Sequence, residues 1–426
     1  MIDKIKNYIK SKCDSYEIFL DNATQQNIEI SNTKIDFISQ GSSQGLGIRV
    51  EIGKKIGFSS TTDINNFKKC VDNAIKIAKL NKKDSKFEKF AISGTYKKVK
   101  VYYKDLASLS LEDCHDFINS KLEIIKNAKV NVTGGSYGRS VGKSFILNSE
   151  GVDLFNEYTI NEFDYELLKG NVGYDGGDSG RGILKVDKLN EDLEILEKLK
   201  NKKVMSTLDC PVLMNYKACA EMIDSFFSGN LSGFNVQQKQ SCFEEKLGQT
   251  LFSNKFTLID DGSKGVFPSN HDSEGTPCGE TILVSKGKLI HYLYDSYSAN
   301  IDKVKSTANG FRGYASTPSI GFSNVFIEKG NKSFEKMVSS IDKGVIIDGM
   351  MGYHTVNDLT GAFSLSISNG FYVDKGEIKY PIKDCMLAGN FFELLKNIEM
   401  VENKQNKNYS FNVPSILFKN AKIIGS

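Results

Sequence analysis

The chain has 426 residues, and its 55 lysines and arginines face 52 aspartates and glutamates, a net charge of +3. So even a balance offers no electrostatic footprint for nucleic acid, which is not expected as a partner. Forty per cent hydrophobic and 25% charged residues describe an ordinary globular protein, and the length calls for two or three domains. Eight cysteines without a C-x-x-C pair, no cationic-then-apolar leader and no bilayer-length apolar run point to a reducing cytoplasm and no membrane partner.

Ile2, Ile5 and Ile9 predict a short amphipathic helix at the start. Strands follow at 16–20, 28–31, 35–39 and 46–52, and at 55–60 across the Gly53-Lys54 turn. Asp63 is placed to cap a helix whose apolar stripe is Phe67, Val71, Ala74, Ile75 and Ala78. The lysine-rich stretch 81–89 reads as a linker. Ser110 and Asp113 resemble a capping box for a helix burying Leu111, Cys114, Ile118, Leu122 and Ile125. Strands are expected at 130–132, 144–147 and 152–168, a flexible glycine-aspartate loop at 173–182, and a helix marked by Leu193, Leu196 and Leu199.

Beyond that, 210–214 is a strand feeding Asn215, an N-cap, into a helix with Cys219, Met222, Ile223 and Phe226 that ends near Gly229. A strand at 325–328, a helix at 333–341 and a strand at 345–347 come later. Residues 363–368 are expected to pair with 370–373, 378–382 to follow the Lys375-Gly376 turn, and 391–401 to form the last helix. The sum is an α+β protein: an N-terminal α+β domain (1–80), a linker (81–104), a middle α+β domain (105–205) and a β-rich C-terminal domain (206–426). A large, mostly antiparallel sheet with a few packed helices is expected in the last of these.

Residues 256–300 form the organising stretch. A short apolar strand at 256–259 runs into Asp260-Asp261-Gly262, a turn signal. His271, Asp272 and Glu274 then fall within four residues of a loop that Gly275 and Pro277 keep irregular. Strands at 281–284 and 288–294 meet at Lys286-Gly287, a hairpin that holds the loop in place. Asp260, Asp261, His271, Asp272 and Glu274 are candidates to hold a peptide amine or a divalent cation through oxygen, or else turn formers and solvated charges. A second polar loop, MMGYHTVNDLTGAFS at 350–364, surrounds His354 and Asn357.

Two other motifs fail on context. Gly41-Ser42-Ser43-Gln44-Gly45 matches G-x-S-x-G, but with strands on both sides it reads as a loop rather than a nucleophile elbow. GRSVGKS at 138–144 is one residue short of a phosphate loop, and a strand follows where a helix should begin. The four histidines, His115, His271, His291 and His354, are too far apart in sequence to form a helical zinc pair.

DDG, DSEGTP, LVSKGKLIHYLYDSYSA and STANGFRG resemble the C-terminal domain of the TldD/PmbA family, described as modulators of DNA gyrase and as peptide-maturing metalloproteases. GLGIRVEIGKKIGFSS, ILNSEGVDL and IKDCMLAGNFFELLKNIEMV extend the resemblance over most of the chain. In the TldD half of the family an HExxxH helix opens the C-terminal domain. The matching helix here reads ACAEMIDSFFSG, with Glu221 and Asp224 but no histidine, and no cysteine follows Cys385. The family's acidic residue after TG is Ala362 here.

The resemblance therefore implies a PmbA/TldE-type subunit with no catalytic residue, no metal and no cofactor of its own. Zinc is expected in a TldD-like HExxxH partner, in a heterodimer or larger assembly, with a homodimer when alone. Extended peptides would lie in a shared cavity lined from this side by Asp260, Asp261, His271, Asp272, Glu274, His354 and Asn357. Two rival expectations are a stand-alone metal-dependent hydrolase using Asp260, Asp261, His271 and Glu274, and a non-enzymatic regulatory protein.

Overall fold

Alternating apolar residues in the first 180 positions build a six-stranded antiparallel sheet in a computed structural model that describes residues 1–425. Its strands are β1 (Ser15–Ser31), β2 (Lys34–Ile52), β3 (Lys55–Thr61), β4 (Asn131–Asn148), β5 (Asp153–Lys169) and β6 (Val172–Gly180), ordered β3-β2-β1-β4-β5-β6. Residues 17–30 of β1 pair with 135–148 of β4, so the expected N-terminal and middle segments share one sheet. The chain between them, 81–103, has no regular structure, but Phe87 and Phe90 are buried.

One helix covers each half of the sheet. Phe67–Leu80 lays Phe67, Val71, Ala74 and Ala78 on Ile18, Ile48 and Val50. Leu111–Asn127 buries Cys114, Ile118 and Leu122 with Tyr137, Phe163 and Tyr165. Ser110 and Asp113 form the expected reciprocal capping box, whereas Asp63 accepts from Asn65 N–H and so caps a 3-10 turn, Ile64–Asn66, ahead of Phe67–Leu80, whose own N-cap Asn66 makes no side-chain bond. Such caps each contribute about 1 kcal/mol.

Two glycine-rich stretches expected as loops, and one lying between two expected short strands, are strand. Residues 41–45 lie inside β2, 133–143 inside β4, and 173–180 form β6. Glycine there serves close approach rather than freedom. A Cβ at Gly45 would sit 2.1 Å from the Tyr314 ring, one at Gly142 2.3 Å from the Tyr158 ring, and one at Gly176 2.2 Å from Asp192 Oδ2.

The C-terminal strands are mostly antiparallel and, beside a two-stranded ribbon of Gly310–Phe311 with Ser319–Ile320, divide into two large sheets. One runs Lys288–Leu289, Glu280–Ser285, Leu258–Asp261, Val325–Ile327, Phe411–Val413, Asn406–Asn408. In the other, Lys343–Met351, Leu208–Met214, Ile416–Ile424, Met386–Asn390 and Ala362–Asp374 pair in succession, and the last also pairs with the first. That circuit is closed, like a small barrel, with Glu377–Pro381 and Ile398–Val401 attached outside it. The helix Tyr216–Asn230 buries Cys219, Met222, Ile223, Phe226 and Phe227 in the large C-terminal core, where Phe226 stacks on Phe391 at 4.4 Å. Asn215 caps it through Ala218 N–H.

Three expectations are corrected. Residues 363–368 and 370–373 do not pair with each other; they are one strand, Ala362–Asp374, bulged against Lys343–Met351. The last helix stops at Lys396, and Ile398–Val401 turns back as strand against Ile416–Ile424. The second hairpin strand ends at Leu289, because Leu293 leaves it to bond Leu231 and Gly233 past the end of the long helix. The turns themselves hold: Gly53-Lys54, Lys286-Gly287 and Lys375-Gly376 all have positive φ at both positions, as two-residue hairpin turns require. Among the described residues, no helix is long and apolar enough to cross a membrane.

Candidate functional site

The acidic loop after Leu258–Asp261 is buried between the first sheet and the C-terminal domain. Asp260, 2% exposed, accepts from Asn309 Nδ2 at 2.8 Å and from Ser323 N and Oγ at 2.8 and 2.5 Å. Burial pushes its carboxyl up to about 6. Asp261 takes Ser263 N–H and O–H and pairs with Lys264 at 2.9 Å. Asp272 accepts three backbone N–H groups, from Glu274, Thr276 and Gly310. Glu274 binds Arg49 Nη2 of β2 at 2.9 Å and Ser296 N–H at 2.7 Å.

His271 sits 2.6 Å from the Asp272 carbonyl through Nδ1 and 2.6 Å from Asn156 through Nε2. The carbonyl only accepts, so Nδ1 carries the proton and Nε2 receives the amide N–H. Burial lowers the His271 pKa, which keeps that neutral tautomer. The five loop residues are therefore brought together, and protein donors and acceptors occupy them. Through Arg49 and Asn156 the loop ties the first sheet to the C-terminal domain. His271 and Asp272 also border a cavity of about 550 Å³ with Asn156, Tyr158 and Arg181.

His354 and Asn357 lie elsewhere. His354 is in the exposed turn Tyr353–Thr355, and exposed Asn357 accepts from Leu359 and Thr360 N–H within its own loop. That loop meets the end of the long helix, where Asn230 donates to the Asp358 carbonyl.

A second polar site lies along the helix Tyr216–Asn230, where β5 and β6 face the closed sheet. Two adjoining cavities of about 240 and about 480 Å³ share Glu166, Asp175, Lys217 and Glu221 as walls. Lys217 Nζ donates to Tyr174 OH, the Asp175 carbonyl and Asp192 Oδ1, each at 3.1 Å. Asp192, 2% exposed, also accepts from Tyr165 OH at 2.8 Å.

Asp348, 7% exposed on strand Lys343–Met351, takes Asn215 Nδ2 on Oδ1. The Tyr174 hydroxyl is beside it, outside hydrogen-bond geometry, and Oδ2 has no partner. Burial raises its pKa. The Glu221 carboxyl is pushed up to about 7 by burial, against the opposing effect of the neighbouring Tyr353 hydroxyl. That hydroxyl is buried and makes no hydrogen bond of regular geometry. Lys188 lies 3.6 Å over the Tyr216 ring and falls to about 8, by burial first and then by Lys217.

Comparison with known proteins assigns this architecture. Residues 207–425 match the family model described as PmbA/TldA metallopeptidase C-terminal domain, and residues 16–78 match the one described as PmbA/TldA metallopeptidase domain 1. The chain belongs to the TldD/PmbA family. It is 29% identical over 412 residues to an uncharacterized protein of Methanocaldococcus jannaschii, covering 95% of each chain. With the metalloprotease PmbA of Escherichia coli O157:H7 it shares 24% identity, over 97% of this chain and 93% of the other. The crystal structure of TldE from Thermococcus kodakarensis superposes with a TM-score of 0.93 at 26% identity, covering 100% of both chains.

In this TldD/PmbA member the helix opening the C-terminal domain carries Glu221 and Asp224 but no histidine. The four histidines sit on separate elements. His115 is on Leu111–Asn127 beside Asn119, His271 is fixed in the acidic loop, His291 faces the Ile282 carbonyl at 2.9 Å, and His354 is in an exposed turn. Among the described residues no group of three or more His, Cys, Asp or Glu is arranged to hold a metal ion. Sequence reading singled out Glu221 only for the missing histidines around it. It missed Lys217, Asp192, Asp175 and Asp348, which more than 170 positions of sequence separate and only the fold assembles; the partial signal was a lysine and a glutamate one helical turn apart at 217 and 221.

Proposed function

We propose that this chain is the PmbA/TldE-type subunit of a metallopeptidase complex, shaping the cavity in which a TldD-like HExxxH partner proteolyses peptides. The observation that carries the reading is the helix Tyr216–Asn230: it borders a polar groove, yet its donor set of Glu221 and Asp224 does not suit zinc, which takes three or four Cys, His or carboxylate ligands at about 2.0–2.3 Å. Zinc belongs, in this reading, to the partner, where a glutamate activates the bound water.

The chain's own residues would bind and orient. Met350 and Met351, at the end of strand Lys343–Met351 where it enters the loop 350–360, rim the groove, and extended peptide backbone pairs readily with strand edges while leaving side chains free to vary. Asp260, Asp261, His271, Asp272 and Glu274 act indirectly, by fixing the first sheet against the C-terminal domain. The assembly is a heterodimer or larger, with a homodimer formed in the partner's absence.

Co-purification with an HExxxH family member from the same genome, followed by a peptide-cleavage assay on each chain and on the mixture, tests this. Cleavage only in the mixture is expected. A stable mixed complex with no cleavage of any peptide would instead favour a regulatory role.

A further inference from the structure

The groove beside helix Tyr216–Asn230 holds more carboxylate than its own cations cover. Lys217 has three N–H donors, and Tyr174, Asp175 and Asp192 take all three. Asp348 is 7% exposed, borders the larger cavity and has an Oδ2 with no hydrogen-bond partner. Glu221 borders the same cavity, within electrostatic reach of Asp348. Lys188 lines only the smaller cavity, over the Tyr216 ring. In the larger one Lys202 is taken by the Ser368 carbonyl and Asn369 Oδ1 at 2.6 and 2.9 Å, so Glu166, Asp175, Glu221 and Asp348 face Lys202 and Lys217 alone. Lys217 favours the ionised Asp348 without contacting it, and burial outweighs that effect. A carboxylate buried with no cation in contact is unfavourable, and a bound cation lowers that cost.

We propose that the cavity of about 480 Å³ binds a primary ammonium group of a peptide at Asp348 and Glu221, with Met350 and Met351 against the carbon stem. An ammonium needs three acceptors, whereas calcium asks for six to eight oxygens, and among the described residues no group of three or more His, Cys, Asp or Glu is arranged to hold a metal ion. Apolar methionine beside two carboxyls suits a chain that is greasy along its length and charged at its tip. Both burial-raised carboxyls would ionise on receiving it. The inference rests on the peptide-handling reading above and names which part of the peptide this subunit reads.

A lysine side chain and a free peptide N-terminus present the same group. Calorimetric titration of the full chain with three peptides separates them: acetyl-Ala-Ala-Lys-Ala-Ala-amide, unblocked Ala-Ala-Ala-Ala-Ala-amide, and acetyl-Ala-Ala-norleucine-Ala-Ala-amide. At least one ammonium peptide is expected to bind about tenfold or more tighter than the norleucine peptide, and Asp348→Asn is expected to erase that preference. Thermal unfolding establishes that the variant is folded; Glu221→Gln, at a less buried position, carries the same test with a smaller loss. Equal affinity for the norleucine peptide, no saturable binding of either ammonium peptide, or an unchanged preference in both folded variants overturns the proposal. So does stoichiometric calcium or manganese binding that Asp348→Asn abolishes. Ammonium preference without cleavage in the mixed complex would remove the peptidase reading alone, and cleavage without that preference would remove this site alone.

Discussion

Arg49 on β2 reaches Glu274 in the acidic loop at 2.9 Å, across 225 positions of sequence. The same guanidinium grips Glu17 on β1 through Nε and Nη2, each at 2.9 Å, and Arg312 meets Glu17 from the other side at 2.5 Å. All four groups are buried, so the cluster fixes the first sheet to the C-terminal domain with matched charge.

Arg49→Met therefore leaves Glu17 and Glu274 short of a counter-charge. Destabilisation of about 3–5 kcal/mol is expected, read as a lower urea unfolding midpoint. Glu274→Gln retains an acceptor for Ser296 N–H and is expected to cost less, about 1–3 kcal/mol. A shift in Arg49→Met no larger than that of a surface arginine would contradict the locking role.

Glu221 makes stability depend on pH. Its folded pKa, about 7, lies above the ordinary 4.5, so the native state keeps a proton that the unfolded chain releases. The contribution is complete below pH 4.5 and falls as pH rises to about 7, by roughly 2–3 kcal/mol in all. Tyr353, Asp175, Lys217 and Asp348 face the carboxyl from the neighbouring elements. Glu221→Gln is expected to remove that slope, so the difference between the two stability curves should widen in favour of the variant across this window. Parallel curves would show that Glu221 does not titrate there.

Gly176 gives a steric test of the groove. An alanine Cβ would press on Asp192 Oδ2 at 2.2 Å and on the Tyr165 ring at 2.7 Å, whereas at Gly173 its nearest neighbour is 3.9 Å away. Gly176→Ala is expected to cost about 1–3 kcal/mol, and Gly173→Ala to change stability by less than about 0.5 kcal/mol. Equal effects on the thermal midpoint would mean that β6 does not approach Asp192 so closely.

These glycines also explain what was legible and what was not. Caps and turns carry their signal in two to four adjacent residues, so Ser110 with Asp113, Asn215, and the Gly-Lys and Lys-Gly turns could be read directly. The stretches 41–45 and 173–180 looked like loops, and 133–143 like a gap between two short strands, because glycine usually marks a loop, yet Tyr314, Asp192 and Tyr158 lie where side chains would have been. Likewise 362–374 looked like two strands around Asn369-Gly370, and only its bulged partner strand shows it to be one. The acidic loop was visible as a cluster, but its partners Arg49, Asn156, Asn309 and Ser323 come from remote segments, so its locking role was not.

The cysteines give a chemical check on the fold. All eight are free, seven are buried, and burial raises even the partly accessible Cys13 to about 11. A native sample is expected to react with no more than one equivalent of a thiol reagent at neutral pH, and a denatured one with eight. Rapid reaction of several native thiols would mean that the cores open.

The most direct measurement is chelator-sensitive peptide cleavage by the purified chain alone, beside the same assay after an HExxxH family member is added. No cleavage alone, and cleavage abolished by chelator in the mixture, is the expected result. Chelator-sensitive cleavage by the chain with no companion present would contradict a borrowed zinc site.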